Sequence, residues 1–560
     1  MTEPLRIGNA SGFYGDRASA WQEMLDGGDL DVLTGDYLAE LTMLILGRDR
    51  LKDPSTGYAK SFLRQLEAVL GTAKSRNVRL VANAGGLNPA GLAAAIRALA
   101  ERLGLDVAVA HVEGDDVTAR IEGLTANAYL GAFGIAECLK AGADVVVTGR
   151  VTDASLVVGP GIAHFGWTRA DLDQLAGATA AGHVLECGTQ ATGGNYAFFT
   201  ELPDSARRPG FPLAELHSDG SAVITKHPGT GGAVTVETVT AQLLYEIGTP
   251  TYLGPDVVTD FTTIRLTADG PDRVRIEGVR GTPPPPDLKI GVNTLGGFRN
   301  AMTFVLCGLQ IPEKAALVQA QLTDALGADG LEFTLARTDH PDATTEAAAS
   351  ALLTVSIKDT DAKRAGRPFS QAAVELALAS YPGLALTAPP GDATPLGVFT
   401  AAYLPQGDVD QVAVLPDGTR KRIPAPTTTA THNMVISPKN PDREASGFFA
   451  TPPATRRAPL GELFGARSGD KGGDANIGVW ARNDRDYEWL RVHLTAERLQ
   501  ELLPETGELA VERHELENLR AVNFVVRGIL GDGVAASTRF DPQGKALGEW
   551  LRSRIVDLPL

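Results

Sequence analysis

Short apolar runs alternate with amphipathic stretches through roughly the first 160 residues. Leu5–Asn9, Asp31–Thr34, Val78–Asn83, Val107–His111 and Ala143–Thr148 read as strands. Arg17–Leu25, Tyr37–Leu46, Pro89–Leu103 and Leu130–Lys140 carry helical spacing between them. Such βαβα alternation predicts an α/β fold with a mostly parallel, doubly wound, Rossmann-like sheet and helices on both faces. Ligands of such sheets sit beyond the carboxyl ends of the strands. Polar residues cluster there: Asp16, Asp36 and Asp153 each stand where the next helix should begin. Each reads either as a helix N-cap or as one member of a polar ring around a crevice.

The pattern loosens over residues 170–420 into a β-rich middle region, with strand-like stretches at Ala222–Thr225, Ala233–Thr240, Val274–Gly278, Leu352–Ile357 and Gly397–Tyr403. The tetraproline Pro283–Pro286 must be an extended loop or edge. Residues 1–436 form one large unit, with subdomains expected at about 1–165 and 166–436. The proline-punctuated, polar stretch 437–458 reads as a linker. Residues 459–560 read as a small α+β ferredoxin-like domain: strand Leu460–Arg467, strand Ala475–Ala481, helix Tyr487–Leu503, strand Leu519–Val526 and terminal helix Lys545–Val556.

Composition narrows the function. With 51 Lys and Arg against 68 Asp and Glu, the net charge is −17, which argues against nucleic acid or an anionic membrane as partner. Cys138, Cys187 and Cys307 form no CxxC pair, so neither a disulfide framework nor a cysteine metal site is expected. No secretory leader and no apolar run of the ~18 residues a membrane helix needs is legible, which points to the cytoplasm. No Walker A, HExxH or GxSxG motif occurs. Gly8–Gly15 has the spacing G-x3-G-x2-G and misses the dinucleotide fingerprint. No cofactor is evident from motifs. The 62 glycines among 560 residues exceed the usual ~7% and gather partly in turns after strands.

Five segments carry candidate chemistry. Asn83-Ala-Gly85-Gly86-Leu-Asn88-Pro89 could turn backbone N–H groups toward an anion, or be a tight turn with Asn88 as cap. In Thr148-Gly-Arg150-Val-Thr-Asp153, Arg150 could hold a carboxylate or phosphate, or pair with an Asp. Gly182-His-Val-Leu-Glu186-Cys187 offers an acid or base and a thiol, although a cysteine beside glycine is more often a small buried apolar group. Lys226-His227-Pro228-Gly229-Thr-Gly231-Gly232 offers a cation, a histidine and an N–H nest, or a plain hairpin turn. Arg467-Ser-Gly-Asp470-Lys471-Gly-Gly-Asp474-Ala-Asn476 could bind Mg²⁺ or Ca²⁺, although its spacing is not that of an EF-hand, or be a salt-bridged loop that docks the small domain onto the large one.

Together with Gly12-Phe-Tyr-Gly-Asp16, Asp36-Tyr-Leu-Ala-Glu40 and Val236–Gly248, these strings resemble the acyclic terpene utilisation A family, followed by its small ferredoxin-like domain. The resemblance implies a role in citronellol- and geraniol-type catabolism, which runs through branched acyl-CoA thioesters. The expected function is therefore hydration/dehydration or carbon–carbon cleavage of an acyl-CoA or related carboxylate. Asp36, Asp153, Glu186, Cys187 and His227 are the catalytic candidates. Asn83, Gly85, Gly86, Arg150, Lys226, Gly229, Gly231, Gly232, Arg467, Asp470 and Lys471 are the substrate-binding ones. A Cys187-dependent hydrolase or acyl transferase, and a non-catalytic subunit of a carboxylase system, are the alternatives. The partner expected is a small molecule, with a homo-oligomer as the assembly.

Overall fold

The computed structural model describes residues 3–203, 207–431 and 455–559. The strands are β1 (Leu5–Asn9), β2 (Val32–Gly35), β3 (Arg79–Ala82), β4 (Val109–Glu113), β5 (Thr125–Ala128), β6 (Val145–Thr148), β7 (Pro212–Leu216) and β8 (Ala222–Lys226). Between and after them run α1 (Ala20–Gly27), α2 (Glu40–Lys52), α3 (Lys60–Ser75), α4 (Pro89–Arg102), α5 (Phe133–Lys140), α6 (Ser155–Phe165), α7 (Leu172–Leu185) and α8 (Val236–Leu243).

Strands β1, β2, β3, β6 and β4 pair in that order and in parallel. Antiparallel strands extend the sheet on both sides: β7, β8, Val274–Glu277 and Arg265–Ala268 beyond β1, and Val412–Val414 with Arg420–Arg422 beyond β4. The period of two along each strand divides the side chains between two cores. Leu33, Leu80, Ala82, Val145 and Val147 pack with Trp21, Phe62, Leu66 and Leu92 of α1, α3 and α4. Ile7, Val81, Ala110 and Val146 pack with Ile135, Leu156, Ala176 and Leu185 of α5, α6 and α7. Burial on both faces is why these strands are almost wholly apolar, and the doubly wound expectation holds.

Three sequence expectations change. Ala233–Thr240, expected as β-rich, contains the start of α8. Thr235 accepts from Thr238 N and Thr238 answers to Thr235 N, a reciprocal cap that starts the helix despite its β-branched residues. Tyr487–Leu503 is two helices, Asp484–His493 and Ala496–Leu502, because Thr495 caps the second. The terminal helix stops at Arg552, and Ile555–Pro559 becomes a strand against Thr455–Pro459. The linker expected at 437–458 lies outside the described residues up to 454.

The C-terminal domain is a four-stranded antiparallel sheet in the order Phe464–Lys471, Asp474–Ala481, Ala521–Val526, Val511–Leu516. Its core holds Phe464, Ile477, Val479, Trp489, Leu490, Phe524 and Leu551. The described chain forms two compact units. The first holds the large sheet and the C-terminal domain, as residues 1–293, 399–531 and 543–560. The second, residues 294–398 and 532–542, pairs Leu331–Ala336, Ser350–Asp359 and the distal part of Asp287–Cys307 over Phe304, Val318, Leu353 and Phe369.

One glycine gives a direct check on packing. A Cβ on Gly177 of α7 would lie 2.1 Å from the carbonyl oxygen of Gly220 in the β7–β8 turn. In a free helix, alanine is favoured over glycine by about 1 kcal/mol. Here the backbone clash outweighs that gain, and Gly177→Ala is expected to destabilise the protein by roughly 1–3 kcal/mol. Denaturant unfolding checks this, and a stabilised variant contradicts the close approach.

Candidate functional site

The carboxyl ends of the parallel strands carry a buried polar cluster. β2 delivers Asp36 and β3 delivers Asn83, both with almost no exposed surface. Asn83 Nδ2 donates to Asp36 Oδ1 at 2.6 Å, and Leu38 N donates to the same oxygen at 3.0 Å. Asn83 Oδ1 accepts from Tyr37 N at 2.7 Å. Both donors to Asp36 end on Oδ1, which leaves Oδ2 to carry a proton. Burial, then the charge of Asp153, pushes the Asp36 carboxyl well above the usual range, against the pull of Arg150.

After β6 the chain delivers Arg150 and Asp153. Arg150 Nη1 donates to Leu38 O at 2.7 Å and lies 2.9 Å from Asp153 Oδ1, a charge pair rather than a directed hydrogen bond. The guanidinium stacks 4.2 Å over the ring of Tyr129, which follows β5. Asp115 Oδ2 accepts from Arg150 N and from Asn127 Nδ2, each at 2.8 Å, and fixes the backbone there. Burial pushes the Asp115 carboxyl up to about 6.

Helix α7 brings the third member. Asn9 Nδ2, at the end of β1, donates to Leu185 O at 2.7 Å, so the C-terminus of α7 is tied to the strand ends. The next residue is Glu186. His183 Nδ1 lies 2.9 Å from Glu186 Oε1. Burial pushes Glu186 well above the usual carboxyl range, with the charges of Asp153 and Glu246 adding to it. The negative end of the α7 dipole acts in the same direction. Burial also pulls the pKa of His183 down to about 4, so the imidazole is neutral at physiological pH. Glu186 Oε2, His183 Nε2 and Gln242 Oε1 are buried without a hydrogen-bond partner. Native proteins rarely leave such atoms unsatisfied.

The C-terminal domain closes on this cluster. Lys471 Nζ donates to Glu246 O at 2.9 Å. Arg467 bonds Gln190 Oε1, donates to Asn195 O at 3.3 Å, and stacks 4.3 Å over Tyr245. Burial and the charge of Glu246 push Asp470 up to about 8. Lys471 keeps solvent access, yet desolvation of its ammonium and the nearby Lys289 pull its pKa below the ordinary amine value.

The structure thus brings together Asp36, Asn83, Arg150, Asp153 and Glu186, with Asp470 and Lys471 as electrostatic neighbours. Neither Asp36 nor Asp153 caps a helix: Ala39 and Ala154 hold the N-cap positions of α2 and α6. Cys187 adjoins the cluster, but burial, then Glu186 and Glu246, pushes its thiol well up. His183, the neighbouring imidazole, is spent on Glu186.

Other candidates have local structural work. A Cβ on Gly85 would lie 2.5 Å from Thr148 O, so Gly85 permits strand-end packing. Gly86, at φ 52°, donates its N–H to Asn83 O, and Asn88 caps α4 through Gly91 N. Lys226 Nζ donates to Thr230 O at 2.8 Å and pairs with Asp272 at 3.0 Å. His227 Nε2 bonds Met24 O at 2.9 Å, on a different side from Lys226. Gly229 and Gly232 adopt φ of 77° and 79°, and Gly231 O accepts from Gly210 N, which makes the segment a turn.

Tyr129, Tyr252, Glu246, Lys289 and Gln242 were not singled out in the sequence. Glu246 and Gln242 stand inside the string Val236–Gly248, which was the available signal. Among the described residues, no group of three or more His, Cys, Asp or Glu is arranged to hold a metal ion. No helix among them is long and apolar enough to cross a membrane.

A doubly wound α/β domain with a buried acid–arginine cluster at its strand ends, closed by a ferredoxin-like domain, defines the class of protein. The chain belongs to the acyclic terpene utilisation family. The model described as acyclic terpene utilisation family protein AtuA matches residues 5–415, and that of the AtuA ferredoxin-like domain matches residues 458–557. No curated protein matches the chain.

The cluster sets a pH dependence. A buried carboxyl whose folded pKa is raised stabilises the fold below its unfolded value, near 4, and loses that contribution as pH rises through the folded value. Asp36→Asn removes this term. As pH rises from about 4, the thermal midpoint of the native protein should fall more steeply than that of Asp36→Asn. Equal slopes would contradict a protonated Asp36.

Proposed function

We propose that the chain is an enzyme of branched-chain or terpenoid carboxylate catabolism that performs hydration–dehydration or carbon–carbon cleavage on an acyl-CoA thioester. The observation that carries this reading is Glu186: a buried carboxyl with Oε2 unspent beside the Arg150–Asp153 pair, where burial raises its hold on a proton. Acid–base catalysis needs one group that holds a proton at neutral pH and another that takes one. Glu186 gives a proton to the leaving or carbonyl oxygen. Asp153 accepts one from the substrate carbon or from water. Arg150 supplies fixed positive charge where negative charge develops. Asp36 and Asn83 hold the strand ends in register beneath them.

The neutral thiol of Cys187 favours this reading over a cysteine nucleophile, because the thiolate is the reactive form. Lys471 and Arg467 bring the small domain to the rim of the cluster, where the acidic or phosphate-bearing part of the substrate binds.

Assays against a panel of acyl-CoA thioesters and free acids test the reading. Glu186→Gln is expected to lower kcat by roughly 10²–10⁴-fold while the protein stays folded. Wild-type turnover by Glu186→Gln would overturn it. Cys187→Ser is expected to keep at least half the native rate, and Cys187 to resist iodoacetamide at neutral pH. An inactive Cys187→Ser protein that is folded would favour the thiol mechanism instead.

A further inference from the structure

Leu244–Gly248 leaves α8 without regular secondary structure of its own. Its backbone groups therefore need partners from elsewhere. The C-terminal domain supplies them. Asn476 Oδ1 accepts from Glu246 N at 2.9 Å, and Asn476 Nδ2 donates to Leu244 O at 2.7 Å and to Asn523 Oδ1 at 2.9 Å. Asn523 Nδ2 donates to Gly248 O at 2.7 Å. Lys471 takes Glu246 O. Both asparagines have 0% exposed surface, so two buried amides are committed to reading this one segment.

Glu246 has φ 54°, in the left-handed region that a non-glycine residue enters at a cost. Glycine would relieve that cost. A glutamate braced there on both its N–H and its C=O has its side chain aimed by the brace. Its side chain lies against the C-terminal domain, with Cγ 3.0 Å from where a Cβ on Gly469 would stand, and its charge acts on Glu186, His183, Cys187 and Tyr252. The groups facing Glu246 from other elements are Glu40 at the start of α2, Asp470 and Lys471 on the hairpin, and Lys545; Tyr245 adjoins it in the chain. Burial pushes its carboxyl up, as it does for Glu186.

We propose that Glu246 is a second acid–base group of this site, and that Asn476 and Asn523 are the positioning residues through which the C-terminal domain holds it there. The inference rests on the proton-transfer reading of the cluster. It makes the small domain a working half of the site: without it, Glu246 would relax out of the left-handed conformation and Glu186 would lose its charged neighbour.

The test is a carboxyl titration of the full chain with ¹³C-labelled glutamate side chains. It compares the native protein with Glu246→Gln, Asn476→Ala and Asn523→Ala. The native protein should show two glutamate carboxyls titrating above the ordinary range. In Glu246→Gln one disappears, and the other, Glu186, moves down as its neighbouring charge is lost. Asn476→Ala should move both toward the ordinary range. Should that variant fail to fold, Asn523→Ala loosens the same brace from the Gly248 side, and Glu246→Gln leaves the brace intact. An unchanged Glu186 titration in Glu246→Gln overturns the inference. If Glu186→Gln nonetheless abolishes turnover, the inference alone falls. If the titration shifts while Glu186→Gln turns over normally, the coupling stands and the proton-transfer reading falls.

Discussion

The buried guanidinium of Arg150 is the constraint on which the rest of the site depends. It is 5% exposed and carries a charge that burial alone would expel. Asp153, the carbonyl of Leu38 and the ring of Tyr129 compensate it, and Asp115 holds its backbone. Leu38 follows β2, Asp153 follows β6 like Arg150 itself, and Tyr129 follows β5, which pairs with Asp287–Cys307 outside the large sheet. The ends of β2 and β6 and the separate strand β5 must therefore converge for the charge to be tolerated. Breaking a buried pair of this kind typically costs about 3–5 kcal/mol, far more than a surface pair. The same fixed charge sets the chemistry nearby. Its pull lowers the pKa of Asp36 and of Glu186, yet burial and neighbouring carboxylates outweigh that pull at both. Acids that hold protons thus stand beside a cation that cannot lose one.

The chain is acidic overall, and the cationic groups of the site do not depend on bulk charge. Arg150, Lys289, and the pair Arg467 and Lys471 come from three separated segments and meet aromatic rings: Tyr129 for Arg150 and Lys289, Tyr252 for Lys471 and Tyr245 for Arg467. Cation–π contact holds them without a carboxylate partner for each. That arrangement leaves positive charge at the rim, while burial raises the proton affinity of Asp36 and Glu186 deeper in the cluster.

Much of the frame was legible because it obeys local rules. Strands buried on both faces are runs such as Val145-Val-Val-Thr148, and Asn88-Pro89 announces α4. Asp36, Arg150 and Asp153 were legible as polar residues just past predicted strands and Asn83 as the end of one, while Glu186 stood out only by the chemistry of its string, since α7 was not predicted. What was missed depends on distant partners. Ile555–Pro559 is a strand only because Thr455–Pro459 lies beside it. Val236–Leu243 alternates like a strand, and its capping box decides for helix. Glu246 reaches the site through Asn476, 230 residues away in the chain, and no local pattern encodes that bond. In the Lys226–Gly232 motif the glycines form a turn, Lys226 bonds Thr230 and Asp272, and His227 bonds the distant Met24.

The glycine excess follows the same division. Gly149 lets Asp115 approach the Arg150 backbone, since a Cβ there would lie 2.2 Å from Asp115 Oδ1. Gly149 and Gly85 let strand ends converge on Arg150. The most direct measurement is a crystal structure of the Glu186→Gln protein soaked with an acyl-CoA thioester. The account predicts the reacting carbons and carbonyl oxygen within hydrogen-bond reach of residue 186 and Asp153, with Arg150 unmoved. Acyl density held instead at the Lys226–Gly232 turn, with the Asp36–Arg150–Glu186 cluster empty, would contradict it.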